Sequence, residues 1–227
     1  MLHRGEAHNA ARAFTVLRTN TLLDGGSPEQ VHFQLENAAA DTFYTHFQSM
    51  KFSLQHRIRV GDDTKPVAEL LSNIDTYRDE LRDPSTIEGA MVCNVDGVEY
   101  CADQFEPILR LSDQWIRKLP WILGGDTETV QFRNSEHCFA FVPAGEGVEF
   151  SIYVGAEMEV EEYVLEPTTI RLDQYATESI RVVEQLVTLV KKIDPGLAET
   201  SDDARELVAS LDEGRRAWRE HQLRSRR

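Results

Sequence analysis

The pattern of apolar and polar residues changes period several times along the chain, and each change marks an element. In VHFQLE, residues 31–36, Val31, Phe33 and Leu35 alternate with His32, Gln34 and Glu36, the two-residue period of a half-buried strand. KFSLQHRIRV, residues 51–60, extends that pattern, with Phe52, Leu54, His56, Ile58 and Val60 on one face. AFTVLRT predicts a weaker strand, and DTFYTHFQSM fits either helix or strand. The period then lengthens: Val67, Leu70, Leu71, Ile74, Tyr77 and Leu81 recur at helical spacing behind Pro66. This predicts an amphipathic helix over about 66–82, ended by DPSTIEG.

AMVCNVDGVEYCAD predicts a hairpin. Asp96-Gly97 can supply the positive φ angles of a two-residue type I′ turn, which pairs Val95 with Val98, Cys93 with Tyr100 and Met91 with Ala102 on one apolar face. In that register Cys101 lies on the face opposite Cys93. A helix is expected from about Glu106, with Ile108, Leu111, Trp115 and Leu119 on one stripe and Arg110, Asp113, Arg117 and Lys118 on other faces. The basic, aromatic run QWIRKLPWIL therefore reads as core packing: Trp115 continues the stripe, and Pro120 is expected to end the helix, leaving Trp121, Ile122 and Leu123 as an extended packed segment.

Residues 127–166 alternate in four consecutive segments joined by short turn-like junctions, which predicts an antiparallel meander. One of its faces needs a cover. DQYATESIRVVEQLVTLVKKID, a helix over about 173–193 with Ala176, Ile180, Val183, Leu186, Val187 and Val190 on its stripe, is expected to supply it. A last helix begins near TSDDARE, where Thr200 and Asp203 resemble a capping box, and carries Leu207, Val208, Leu211 and Trp218 on a stripe interrupted by Gly214.

This order predicts an α+β fold: an antiparallel sheet, hairpin plus four-strand meander, covered by helices, with an N-terminal strand-rich segment and two C-terminal helices. Residues 1–12 are expected to be disordered, 13–196 to form one α+β domain, with two interlocked halves meeting near 83–90 as the alternative, and 197–227 to form a C-terminal helix with an arginine-rich end.

Composition narrows function only a little. At 41% hydrophobic and 28% charged residues, the chain has the balance of a folded globular protein. Cys93, Cys101 and Cys138 are too few and scattered for a disulfide framework, which fits a reducing compartment. With no signal-like apolar stretch near the start, a cytoplasmic, non-membrane protein is expected. The formal net charge of -15 disfavours broad contact with nucleic acid or anionic membrane and favours a basic partner. Only five of the 24 basic residues are lysines, a bias that speaks of provenance more than mechanism.

No catalytic constellation stands out. LGGDTETV lacks the lysine and spacing of a P-loop, no dinucleotide fingerprint opens a helix, and no histidine pair has zincin spacing. His56 reads as a core histidine. Cys138 next to His137 cannot pair with it, because neighbours on a strand point to opposite faces. The run EMEVEEYVLE remains: Glu157, Glu159 and Glu161 are expected on one face of a strand, with Glu162 beside them, as a contact for a basic protein. At the C-terminus, Arg215, Arg216 and Arg219 belong to a segment with six arginines against two glutamates, a possible second contact for an acidic surface, another copy or nucleic acid. The expectation is a cytoplasmic acidic protein-protein interaction module, of the inhibitor or immunity type or a subunit of an assembly, with no catalytic residue, cofactor or metal. The alternatives are an enzyme whose carboxylates, such as Asp126, Glu128 and Glu157, are gathered by the fold, and a nucleic-acid-associated protein using the arginine-rich end.

Overall fold

The alternation at residues 51–60 becomes strand β1 (Phe52–Val60), whose Phe52, Leu54, His56, Ile58 and Val60 are all buried. In the computed structural model the described residues are 50–81, 83, 86–157 and 159–225. The segments VHFQLE and AFTVLRT, nearly all of DTFYTHFQSM, and residues 1–12 lie outside them. Every element described lies in one compact unit, Met50–Arg227.

After β1 the chain turns at Gly61, with φ 59, into β2 (Asp63–Pro66), an edge strand that no apolar alternation announces. The single helix expected over 66–82 is two short ones, α1 (Val67–Ser72) and α2 (Ile74–Tyr77). The break has a local cause. Asn73 leaves the helical conformation at φ -129 and closes α1, its amide donating to the Glu69 and Leu70 carbonyls and its Nδ2 to that of Glu69, so the chain restarts at Ile74.

Strands β3 (Glu88–Val95) and β4 (Val98–Tyr100) form the expected hairpin. Asp96 and Gly97 have φ 51 and 87, and Val95 faces Val98 and Cys93 faces Tyr100. The pairing then stops, because Cys101 is left-handed at φ 59. Ala102 never reaches Met91, and β5 (Glu106–Pro107) pairs with the start of β3 instead. The same reversal corrects the thiol geometry: Cys101 turns into the core that holds Cys93, and Val98 is left exposed. Both thiols are free, and burial pushes Cys101 up to about 12 and Cys93 well above its ordinary value. This first sheet is antiparallel throughout, ordered β2-β1-β3-β4 with β5 beside β3.

Helix α3 (Ile108–Gly124) does not end at Pro120 but runs through it, closing on Gly125 at φ 98. Packing outweighs the lost hydrogen bond, since only a continued helix keeps Ile122 on the buried side with Trp115, Ile116 and Leu119. Trp121 consequently faces water, 58% exposed, where the sequence reading packs it. Asp113 is also corrected: it is buried, accepting from Ser210 Oγ at 2.7 Å and Arg117 at 2.6 Å, and burial raises its carboxyl against those two partners.

The meander forms as expected. Strands β6 (Glu128–Gln131), β7 (His137–Ala144), β8 (Gly147–Ala156) and β9 (Glu159–Arg171) are consecutive antiparallel neighbours. Their cover is shared: α4 (Leu172–Ile193) packs on β8 and β9, and α3 on β6 and β7. Between helices and sheet, Trp115 stands edge-on to Phe139 and Phe141, each 4.9 Å away, and donates from Nε1 to Ser179 Oγ at 2.9 Å. The far face is not uniformly wet, for Thr129, Cys138, Ser151 and Tyr153 are buried too.

Helix α4 also closes the first sheet. Beyond the reach of β2, the backbone of β1 is satisfied by side chains: Glu178 accepts from the Leu54 amide at 3.0 Å, Gln174 donates to the Phe52 carbonyl at 2.9 Å, and Arg181 donates to the Leu54 carbonyl. The C-terminal part is a short α5 (Leu197–Thr200) and a long α6 (Asp202–Ser225). The residue capping α6 is Ser201, whose Oγ accepts from the Ala204 amide, rather than Thr200. Gly214 interrupts the α6 stripe for a reason: a Cβ there would lie 3.2 Å from Ile116 Cγ1, so the glycine admits α3 at close range.

Candidate functional site

The acidic run occupies the β8–β9 turn and the first part of β9, at the edge of the second sheet. Glu157, Glu159, Glu161 and Glu162 are all exposed, as is Glu166. They do not form a regular ladder. Glu157 sits in the turn after β8 and accepts from Thr129 Oγ1 at 2.8 Å, while Glu159 faces Ala156 in the pairing. Between Val154 and Gly155 the register slips, so that Glu161 is an extra residue opposite β8. Gly155 makes the bend possible: its φ is 148, and a Cβ there would come within 2.1 Å of the Glu159 carbonyl oxygen. Two further slips follow along β9, leaving Val160 and Val164 exposed at 44% and 41%. Plain alternation along EMEVEEYVLE would put Val160 on the apolar face of its strand; the register slips place it outward instead.

Several carboxylates elsewhere are paired: Glu88 with Arg59, Glu99 with Arg57, Glu128 with Lys118, Glu178 with Arg181, Glu184 with Arg215 and Glu206 with Arg117. Among the described residues no ion pair engages Glu159, Glu161, Glu162 or Glu166. The arginine-rich end behaves differently. Arg215 is held by Glu184 and Asp212, Arg216 by Glu213, and Arg219 donates to the Arg215 carbonyl. Much of the positive charge expected to seek a second partner is met inside the chain.

The carboxylates Asp126, Glu128 and Glu157 are not brought together. Glu128 bonds Lys118 of α3 at 2.7 Å, so it faces the helices, and its neighbour Thr129 carries Glu157 on the opposite face of the sheet. Asp126 stands exposed after the end of α3. Cys138 is buried, donates to Gln131 Oε1 at 3.0 Å, and has its thiol pushed up by burial, an environment that holds it protonated. His56 is a core residue, with Nε2 3.0 Å from Ser112 Oγ. Among the described residues no group of His, Cys, Asp and Glu has metal-binding geometry, and no helix is long and apolar enough to cross a membrane.

Sequence reading missed a cleft of about 360 Å³ at the junction of β5, the first turns of α3 and the β6–β7 loop. Glu106, Pro107, Arg110, Leu111, Gln114 and Arg133 are among its walls. Glu106 is 2% exposed, and its two oxygens accept from the amides of Arg133 at 2.9 Å and Asn134 at 2.8 Å. No linear signal joins residues 106–114 to 131–133. The one available hint is Glu106 beside Pro107 at a helix start, a carboxylate placed where backbone donors are sought.

Comparison with protein-family models, with curated proteins and with solved structures finds no match for this chain.

Proposed function

We propose that the protein works as a protein-protein interaction module, with the acidic edge of β9 as its contact for a basic protein surface. The carrying observation is the clustering: Glu159, Glu161 and Glu162 stand exposed around the 44%-exposed Val160, and none of the three has an ion pair among the described residues. Unpaired surface charge of one sign steers an oppositely charged partner, and a half-exposed valine among the charges offers apolar area once contact is made. The bulges keep the strand edge from pairing indiscriminately with other chains, so recognition rests on side chains.

The test is a comparison of the native chain with a Glu159→Gln, Glu161→Gln, Glu162→Gln variant, both used to capture partners from the native cells at low salt. The expected result is a basic protein recovered by the native chain and lost by the variant. With that partner purified, the variant should associate more slowly and with a flatter dependence on salt. Equal recovery and equal association rates would remove β9 as the contact.

A further inference from the structure

We propose that the cleft between the start of α3 and the β6–β7 loop is a binding site for a small molecule carrying an oxyanion group, a phosphate or a carboxylate, held between Arg110 and Arg133. This site is separate from the acidic edge and needs no partner protein.

Three observations carry the inference. The first is pairing. In this acidic chain Arg57, Arg59, Arg78, Arg117, Arg171, Arg181, Arg205, Arg215 and Arg216 all find carboxylates, while among the described residues Arg219 reaches only the Arg215 carbonyl and Arg224, near the end of α6, has no partner; what sets Arg110 and Arg133 apart is that they share one cleft. Arg110 and Arg133 are exposed, neither guanidinium has a hydrogen-bond or ion-pair partner among the described residues, and both line the same cleft. A guanidinium presents a planar fork of donors that matches an oxyanion in bidentate fashion, so two of them on one concavity form an acceptor-seeking site.

The second is that the nearby negative charge is already engaged. Glu106 is the carboxylate of the cleft, and it is buried with both oxygens taking backbone amides, so its hydrogen-bonding capacity is directed into the loop. Two guanidinium charges against one carboxylate leave the cleft net positive in a protein of net charge -15.

The third is rigidity. Glu106 lies two residues before α3, whose first turn carries Arg110, and its carboxylate accepts from the backbone amides of Arg133 at 2.9 Å and Asn134 at 2.8 Å. One buried carboxylate thus sets both arginines relative to each other. Asn134 reinforces the junction by donating from Nδ2 to the Phe105 carbonyl at 3.0 Å, and Pro107 and Glu106 are pinned to β3. Leu111 and Phe132 give the cleft apolar walls, and Gln114 adds an amide, the mixture of apolar lining and a few polar groups that small-molecule sites use.

The test is calorimetric titration of the whole chain with inorganic phosphate and, separately, with malonate, each against chloride at matched ionic strength. Saturable binding of either is expected, and the tighter arm names the oxyanion. Arg110→Gln and Arg133→Gln should each weaken it on the order of tenfold or more, the scale of one charge-assisted contact. Both arginines are exposed, so the variants should keep the native melting temperature. An Arg216→Gln, Arg219→Gln variant removes the same charge from α6 and should leave affinity unchanged. Absence of saturable binding in both arms, or equal weakening by the α6 variant, would overturn the assignment. The Glu159→Gln, Glu161→Gln, Glu162→Gln variant should still bind, which separates failure here from failure of the β9 contact.

Discussion

The two sheets lean on the same two helices, α3 and α4, through different chemistry. The second sheet is joined by aromatic rings: Trp115 against Phe139, Phe141 and Phe150, and Tyr175 against Phe141. The first packs its apolar residues into the same core and adds polar ties: His56 to Ser112 of α3, and Glu178, Gln174 and Arg181 of α4 to the backbone of β1. Ring packing is indifferent to pH and salt and tolerates no loss of volume, whereas buried hydrogen-bonded groups respond to protonation. The difference follows from topology. β1 has an edge that β2 leaves uncovered, so its backbone needs partners, while the corresponding face of β7 and β8 is already paired on both sides.

The largest expected effect lies on the aromatic side. Trp115 is fully buried, and Trp115→Ala should destabilise the chain by about 3–5 kcal/mol in chemical unfolding, the scale of large aromatic deletions in cores. Trp121, six residues along the same helix, is the built-in control. Its exposure predicts a Trp121→Ala change within about 0.5 kcal/mol. Similar losses for the two would mean that α3 does not continue through Pro120 as described.

The hairpins of the two sheets offer a second contrast. Gly97 in the β3–β4 turn needs only its positive φ, with no atom within 4 Å of a Cβ added there, so Gly97→Ala should cost about 1 kcal/mol. Gly155 combines φ 148 with a Cβ position 2.1 Å from a backbone oxygen. Gly155→Ala should therefore cost about 2–4 kcal/mol, backbone strain added to overpacking. Melting temperatures of the two variants decide this, and equal shifts would show that the β9 bulge relaxes without penalty.

These hairpins also mark what was legible from sequence. The β3–β4 register could be read because Asp96-Gly97 specifies one turn and the flanking residues agree with it. The four meander strands and the stripe of α4 were legible by period alone. The bulges of β9 were not, since Glu and Val alternate there with no residue that signals an extra backbone unit, and the decisive glycine, Gly155, lies on the opposite strand. Pro120 misled because a local rule met a buried stripe that outweighed it. The Glu106 cleft was illegible for another reason: only the fold brings Arg110 and Arg133, 23 residues apart in sequence, to one concavity, with no carboxylate paired to either among the described residues.

The last effect tests the polar side of the comparison. Burial, opposed by a backbone hydrogen bond at Val182 and aided by the nearby Arg181 charge, lowers the His56 pKa from 6.5 to about 3. Between those two values the unfolded chain binds a proton that the folded chain refuses. The stabilisation is therefore complete above the unfolded value and declines as pH falls, at roughly 1.4 kcal/mol per unit, so that about 2 kcal/mol of it is lost by pH 5. Other groups titrate in the same range, so the informative quantity is the difference between native chain and a His56→Gln variant, measured by chemical unfolding at pH 7, 6 and 5. The variant should lose this part of the slope, so the stability gap between the two proteins narrows as the solution is acidified. A gap that stays constant would mean that His56 takes up its proton within the fold, and the polar junction of β1 with α3 would then be as insensitive to pH as the aromatic one.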